Sequence, residues 1–300
     1  MTWTVVDDGD GSPRIVIAEP AGSTAVVLLN GAQIVSWKND RHEELLFMGS
    51  KVIKKPSKVV RGGIPICFSE FGDTGFQNRN RLWILDSDSS PLPPPKTSST
   101  VDLLLKSSVE DDLKIWPRSF ELRLRIILGS GKLTLIPHVR NTDSKVITFS
   151  FSLQNYLSVS NISEVRVEGL ETLDYFDNLS ERKRCTEQAD AITFDGEVDR
   201  VYLSTPPKIA IIDHEKKRTL VLRKEDLPDA GVWNPWDKKA KMLPDFGYDD
   251  YKSMLRVDSS AIEAPIVLKP LEEWNGRQEL SFVSSSYCSG QLDPLKVLHG

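Results

Sequence analysis

Arginines stand on both sides of a glycine-proline bend, in Arg61-Gly62-Gly63-Ile64-Pro65 and in Arg79-Asn80-Arg81. A guanidinium is a planar fork that matches phosphate or carboxylate oxygens, and paired glycines let a backbone approach a ligand closely. The pattern suits an anion-binding corner, and an ordinary loop with solvated arginines fits it equally well. Trp233-Asn234-Pro235-Trp236 sets two indoles around a turn. An indole face suits the apolar face of a pyranose, and asparagine offers hydroxyls a donor and an acceptor. A core tryptophan pair at a strand end is the plainer alternative. Carboxylates form a third group: Asp195, Glu197 and Asp199 around a turn, and Asp258 after the short run Met254-Leu255-Arg256-Val257. A carboxylate at a strand end in an all-β cleft can act as a general base or hold a sugar hydroxyl, although most acids are solvated surface groups.

Other chemistries lack their residues. His42, His138, His214 and His299 form no pair at ligand spacing and none lies near a cysteine, so no metal site is expected. Neither a Gly-x-Ser-x-Gly elbow nor a Walker loop is present. Cys67, Cys185 and Cys288 are few and far apart, which suits reduced thiols in a cytoplasmic protein. A net charge of -5 argues against a nucleic-acid binder. No basic segment followed by an apolar stretch opens the chain, and no apolar run approaches the roughly 20 residues of a membrane span. A cytoplasmic monomer without cofactor or membrane attachment is expected, and the Asn-x-Ser patterns at Asn161 and Asn178 then read as chance.

The elements that must position these residues are strands. Arg14–Ala18, Thr24–Leu29, Gln33–Trp37, Val101–Lys106 and Phe120–Leu128 are β-branched or alternating runs. In the last, Phe120, Leu122, Leu124 and Ile126 alternate with Glu121, Arg123 and Arg125. Gly129-Ser130-Gly131 is a hairpin turn into Lys132–Val139. Further strands are expected at Ile147–Tyr156, Val165–Leu170, Lys208–Ile212, Thr219–Leu222, Gly231–Trp233, Arg256–Val257 and Glu279–Val283. Helical periodicity is confined to short pieces near Pro235–Lys241 and Asp249–Tyr251. The Pro-rich segment Ser89–Thr100 reads as an exposed loop. With 39% apolar and 27% charged residues, the 300-residue chain is expected to form one all-β domain over 1–300, a large sandwich or barrel.

Several long segments carry a family resemblance. RGGIPICF, Arg79-Asn80, FSFSLQNYLSVSNISEVRVEGLETLDY, TFDGEVDRVYL, VWNPWDKKAKMLPDFG and SSAIEAPIVLKPLEEWNGRQEL together resemble the glucose-6-phosphate 1-epimerase branch of the aldose 1-epimerase, galactose mutarotase-like family, the plant members especially. The resemblance runs from Gly31 to Leu280. It implies a twisted β-sandwich (the galactose mutarotase-like supersandwich), no cofactor, and α/β interconversion of a hexose 6-phosphate at C1. In that chemistry a base takes the anomeric proton while an acid on the other side protonates the ring oxygen, and the roles reverse on closure. The family uses a glutamate base, a histidine acid, an aspartate on sugar hydroxyls and arginines on the phosphate.

Carried over position by position, the base falls on Asp258, the sugar-holding acid on Asp199 and the phosphate arginines on Arg61 and Arg79. Trp233 and Asn234 would contribute to sugar binding. The family's His-Thr-Tyr segment reads Gln154-Asn155-Tyr156 here. Glutamine can hydrogen-bond the ring oxygen but has no proton to give. The loop Phe71–Asn80 lacks the family's Gln-His pair, and Glu70 stands where glutamine is common. His138, on an expected strand, is the candidate replacement acid. The resemblance thus leaves two readings, an impaired epimerase or a sugar-phosphate binding protein that lost its acid.

Overall fold

The computed structural model describes residues 3–6, 13–51, 61–70, 81–86, 99–107, 116 and 118–284. Arg79, Cys288, His299, the loop Phe71–Asn80 and most of the Pro-rich segment lie outside the described residues.

Among the described residues the strands, numbered along the chain, form three sheets. The small sheet takes β1 (Trp3–Val6), β2 (Arg14–Ala18), β3 (Thr24–Leu28) and β4 (Ile34–Lys38) in order. The front sheet runs β13 (Lys183–Thr186), β12 (Asp174–Asp177), β14 (Val198–Tyr202), β17 (Ala230–Asn234), β18 (Met254–Leu268), β10 (Ile147–Ser158), β5 (Ile66–Glu70). The back sheet runs β11 (Val165–Glu168), β15 (Lys208–Asp213), β16 (Arg218–Glu225), β20 (Arg277–Ser284), β9 (Lys132–Asn141), β8 (Phe120–Gly129), β7 (Ser99–Lys106), β6 (Ile84–Leu85), with β19 (Glu273–Asn275) also on β9. All of these pairings are antiparallel. One short helix, α1 (Trp236–Met242), follows β17. No helix among the described residues is long and apolar enough to cross a membrane.

The all-β expectation holds, and the period-two pattern is its cause. Along β8 the Phe120, Leu122, Leu124, Ile126 and Leu128 side chains are buried. Arg125 on the same strand is buried too, because Asp102 on β7 takes its Nε and Nη2 at 2.8 and 2.9 Å. The front and back sheets pack face to face. Phe68 on β5 lies 4.9 Å from Phe120 on β8 and 5.0 Å from Phe149, and Phe151 lies 5.2 Å from Trp274 on β19. Trp37 on β4 reaches Phe282 on β20 at 5.6 Å, tying the small sheet to the same core.

Two elements at the centre of the front sheet differ from the sequence reading. The segment around Asp199 is strand β14, held by β12 and β17, rather than part of a turn. Arg256–Val257 extends into the 15-residue β18. Polar residues interrupt the apolar pattern in both, and the reason is positional: each presents polar side chains to the outer face of the front sheet.

Candidate functional site

Cross-strand register builds this face. On β10 the odd-numbered residues turn to the core: Phe149 and Phe151 join it, and Asn155 exchanges hydrogen bonds with Gln278 of β20 at 2.9 and 2.7 Å. Ser152, Gln154 and Tyr156 therefore face the other way. Directly paired antiparallel residues share a face. One row across the sheet reads Asp199, Trp233, Arg256, Tyr156. The next reads Val201, Gly231, Asp258, Gln154, with Asp258 leaning onto Gly231.

The second row pairs the two expected catalytic positions, Gln154 opposite Asp258 in register. They are 7% and 3% exposed. They stand side by side on one sheet face, where the family chemistry was expected to set its two groups on opposite sides of the sugar ring. Both the anomeric and the ring oxygen are bonded to C1, so neighbouring groups can address both. Gly231 makes room for the carboxylate: a Cβ there would lie 2.5 Å from Asp258 Oδ2.

An aromatic cluster flanks the rows. Phe47, Tyr156, Trp233, Phe246 and Met254 form a second apolar cluster outside the main core. Trp233 meets Tyr156 at 6.1 Å and Phe246 at 6.2 Å, both edge-on. Arg61 sits 5.9 Å above Phe246, and its Nη1 pairs with Asp245 Oδ1 at 2.5 Å. About a third of the Arg61 side chain stays exposed. Asp199 accepts a hydrogen bond from Asn178 Nδ2 at 2.9 Å. Beside it, burial pushes the Glu197 carboxyl above its usual range; Lys239 of α1 opposes that shift and the Asp199 charge adds to it.

Asn234 is not part of this surface. It follows Trp233 on the strand and so turns away. Its side chain is fully buried: Nδ2 donates to the Tyr251 and Met254 carbonyls at 2.8 and 2.9 Å, and Oδ1 accepts from Trp236 N at 2.9 Å. It fixes the turn into α1, and Trp236 packs on Tyr251 at 5.3 Å. His138 is also elsewhere: it is buried on β9 in the back sheet, with Nε2 3.0 Å from Glu273 Oε2. The glycine pair approaches protein backbone, not an open ligand surface. At Gly62, φ 136°, a Cβ would meet Phe47 O at 2.6 Å; at Gly63, φ 60°, one would meet the Ile34 carbonyl oxygen. Gly63 N donates to Phe47 O and Tyr156 N to Gly63 O, so the bend stitches the segment before β5 against β10.

Sequence reasoning missed Arg256, the partner Asp245 and the spacer Gly231. Arg256 had a signal: it lies two residues before Asp258, which on a strand puts both on one face. Asp245 and Gly231 had none, since their roles arise from contacts between distant segments.

The model of the family described as "Aldose 1-epimerase" matches residues 13–281. A protein from Cenchrus ciliaris named "Putative glucose-6-phosphate 1-epimerase" is 56% identical over 99% of this chain and 92% of its own length. A crystal structure of a "putative mutarotase" from Salmonella typhimurium superposes with a TM-score of 0.82 at 24% identity, covering 94% of each chain. A galactose mutarotase related enzyme from Lactobacillus acidophilus gives 0.71 at 14% identity, covering 91% of this chain and 98% of its own. The structural likenesses establish a galactose mutarotase-like fold, and with a family model spanning most of its length this chain belongs to the aldose 1-epimerase family.

Proposed function

We propose that the protein interconverts the α and β anomers of a hexose 6-phosphate, glucose 6-phosphate in the first instance. The observation that carries this reading is the register that sets Asp258 beside Gln154 on the outer face of the front sheet. The name given to the Cenchrus ciliaris relative supports the choice of substrate.

Asp258 takes the proton from the anomeric hydroxyl. The O–H electron pair becomes the C1=O bond as the C1–O5 bond breaks, and O5 takes a proton from water. The Gln154 amide holds O5 by a hydrogen bond. Rotation about C1–C2 presents the other carbonyl face, and the reverse steps close the ring. Asp199 holds sugar hydroxyls. Arg61 takes the phosphate with the donors that Asp245 leaves over, since a guanidinium has five, and Arg79 is its partner by sequence. General acid catalysis typically contributes about 10²–10⁴-fold, so a site with glutamine in that place is a slow one. The protein works as a single-domain cytoplasmic monomer without a cofactor; the core shared by the three sheets supports the single domain, and the Cys185 thiol suits a reducing compartment.

Exchange spectroscopy on equilibrated glucose 6-phosphate tests it. The expected result is α/β exchange faster than in buffer, lost in Asp258→Asn. Exchange equal to buffer, together with binding of the sugar phosphate, would instead mark a binding protein on this fold.

A further inference from the structure

One charged side chain on this face has no part in the steps above. Arg256 shares its face of β18 with Asp258, and its Nε lies 3.2 Å from Asp258 Oδ1. The guanidinium stands 4.8 Å from the centre of the Trp233 ring and 5.9 Å from that of Tyr156. The side chain is 18% exposed. Burial works against its charge, yet Asp258, then Tyr156 and Asp199, hold its pKa above the ordinary arginine value. It is a fixed cation in a nearly closed setting.

Two consequences follow. A guanidinium above the Trp233 indole occupies the place where a pyranose face would stack, so a sugar meets the edge of Arg256 there. A hydroxyl that reaches Asp258 also passes within range of the same fork. That fork carries five N–H donors; Tyr156 engages part of them, while Nε pairs with Asp258 by charge and makes no hydrogen bond among the described residues. We propose that Arg256 is a substrate-binding residue that donates to the anomeric oxygen while Asp258 accepts its proton, making the pair a clamp on the reducing end of the sugar. The proposal rests on the hexose-phosphate reading and adds a contact to it.

A ligand pair separates this contact from the rest of the site. Glucose 6-phosphate and 1,5-anhydroglucitol 6-phosphate differ only by the anomeric oxygen, and calorimetric titration of both reads its contribution. The wild-type chain is expected to prefer glucose 6-phosphate by about tenfold, the scale of a charge-assisted hydrogen bond. Arg256→Met is expected to lower that preference severalfold, to the share that Asp258 supplies, while leaving the affinity for the anhydro compound within about twofold. Because Arg256→Met leaves Asp258 without this cation, Arg256→Lys is the second variant; it keeps the charge, loses the fork, and is expected to lose part of the preference. A preference unchanged in either folded variant overturns the proposal. So does tighter binding by Arg256→Met, which would make Arg256 a plug. If neither ligand binds the wild-type chain, the proposal falls together with the reading beneath it. Wild-type exchange equal to buffer with the preference intact removes the epimerase reading alone and supports the clamp.

Discussion

Gly231→Ala moves the proposed base without replacing it. Gly231 sits on β17 next to Asp258, and its φ is not among the positive glycine values, so alanine suits the backbone there. The difficulty is spatial: the new Cβ would lie 2.5 Å from Asp258 Oδ2, 3.0 Å from Cγ and 3.2 Å from Cβ. Ordinary carbon contacts begin near 3.5 Å, so the carboxylate must retreat by about 1 Å. A displacement of that size can cost about 10²-fold in rate. Overpacking of this kind costs about 1–3 kcal/mol of stability. The assay is α/β exchange of glucose 6-phosphate, with a thermal melt to follow folding. Gly131→Ala is the control: it sits in the β8–β9 hairpin at φ 63° with nothing within 4 Å, so it is expected to lower the melting temperature and leave the rate alone. A folded Gly231→Ala protein with the wild-type rate would refute the placement of the reacting carbon at Asp258.

Gln154→His restores a group with a transferable proton opposite Asp258 and is expected to raise exchange by about 10²–10⁴-fold; no gain would mean that the rest of the site is not arranged for catalysis. Asn155→Ala orphans the buried Gln278 amide between the sheets and is expected to cost about 1–3 kcal/mol in denaturant melts, while the preference between the two sugar phosphates is kept because Asn155 faces the core. Burial lowers the Lys224 pKa to about 8 against the opposing Asp229 charge, from 10.5 for an ordinary lysine. Its protonated form is therefore penalised in the folded state. The penalty, about 3 kcal/mol, is full below pH 8 and disappears as pH rises towards 10.5. The wild-type chain should gain stability relative to Lys224→Met across that window, measured by urea unfolding at several pH values, and a constant difference would contradict the buried charge.

Most strands of the fold were legible because burial on one side leaves a local mark, as in Phe120–Leu128. Val198–Tyr202 and the length of β18 were not, because a strand at the centre of a sheet that carries polar groups on its outer face shows no clean alternation. Of the site candidates, Asp258, Asp199 and Trp233 lie on one face of the front sheet, and Arg61 lies beside that face over Phe246. Asn234 was chosen for its chemistry, yet its amide serves the Tyr251 and Met254 carbonyls. The glycines at 62 and 63 were taken as room for a ligand, and the room is filled by Phe47 and Ile34 backbone.

By itself the sequence determined the strand-forming pattern, the family segments and the identity of the groups at positions 154 and 258, including the missing acid. Only the tertiary structure decided that Gln154 stands beside Asp258, that Asp245 holds Arg61, and that Arg256 lies over Trp233. The physical reason is that periodicity fixes which face a residue takes along its own strand, whereas neighbours across strands are set by register between segments far apart in the chain.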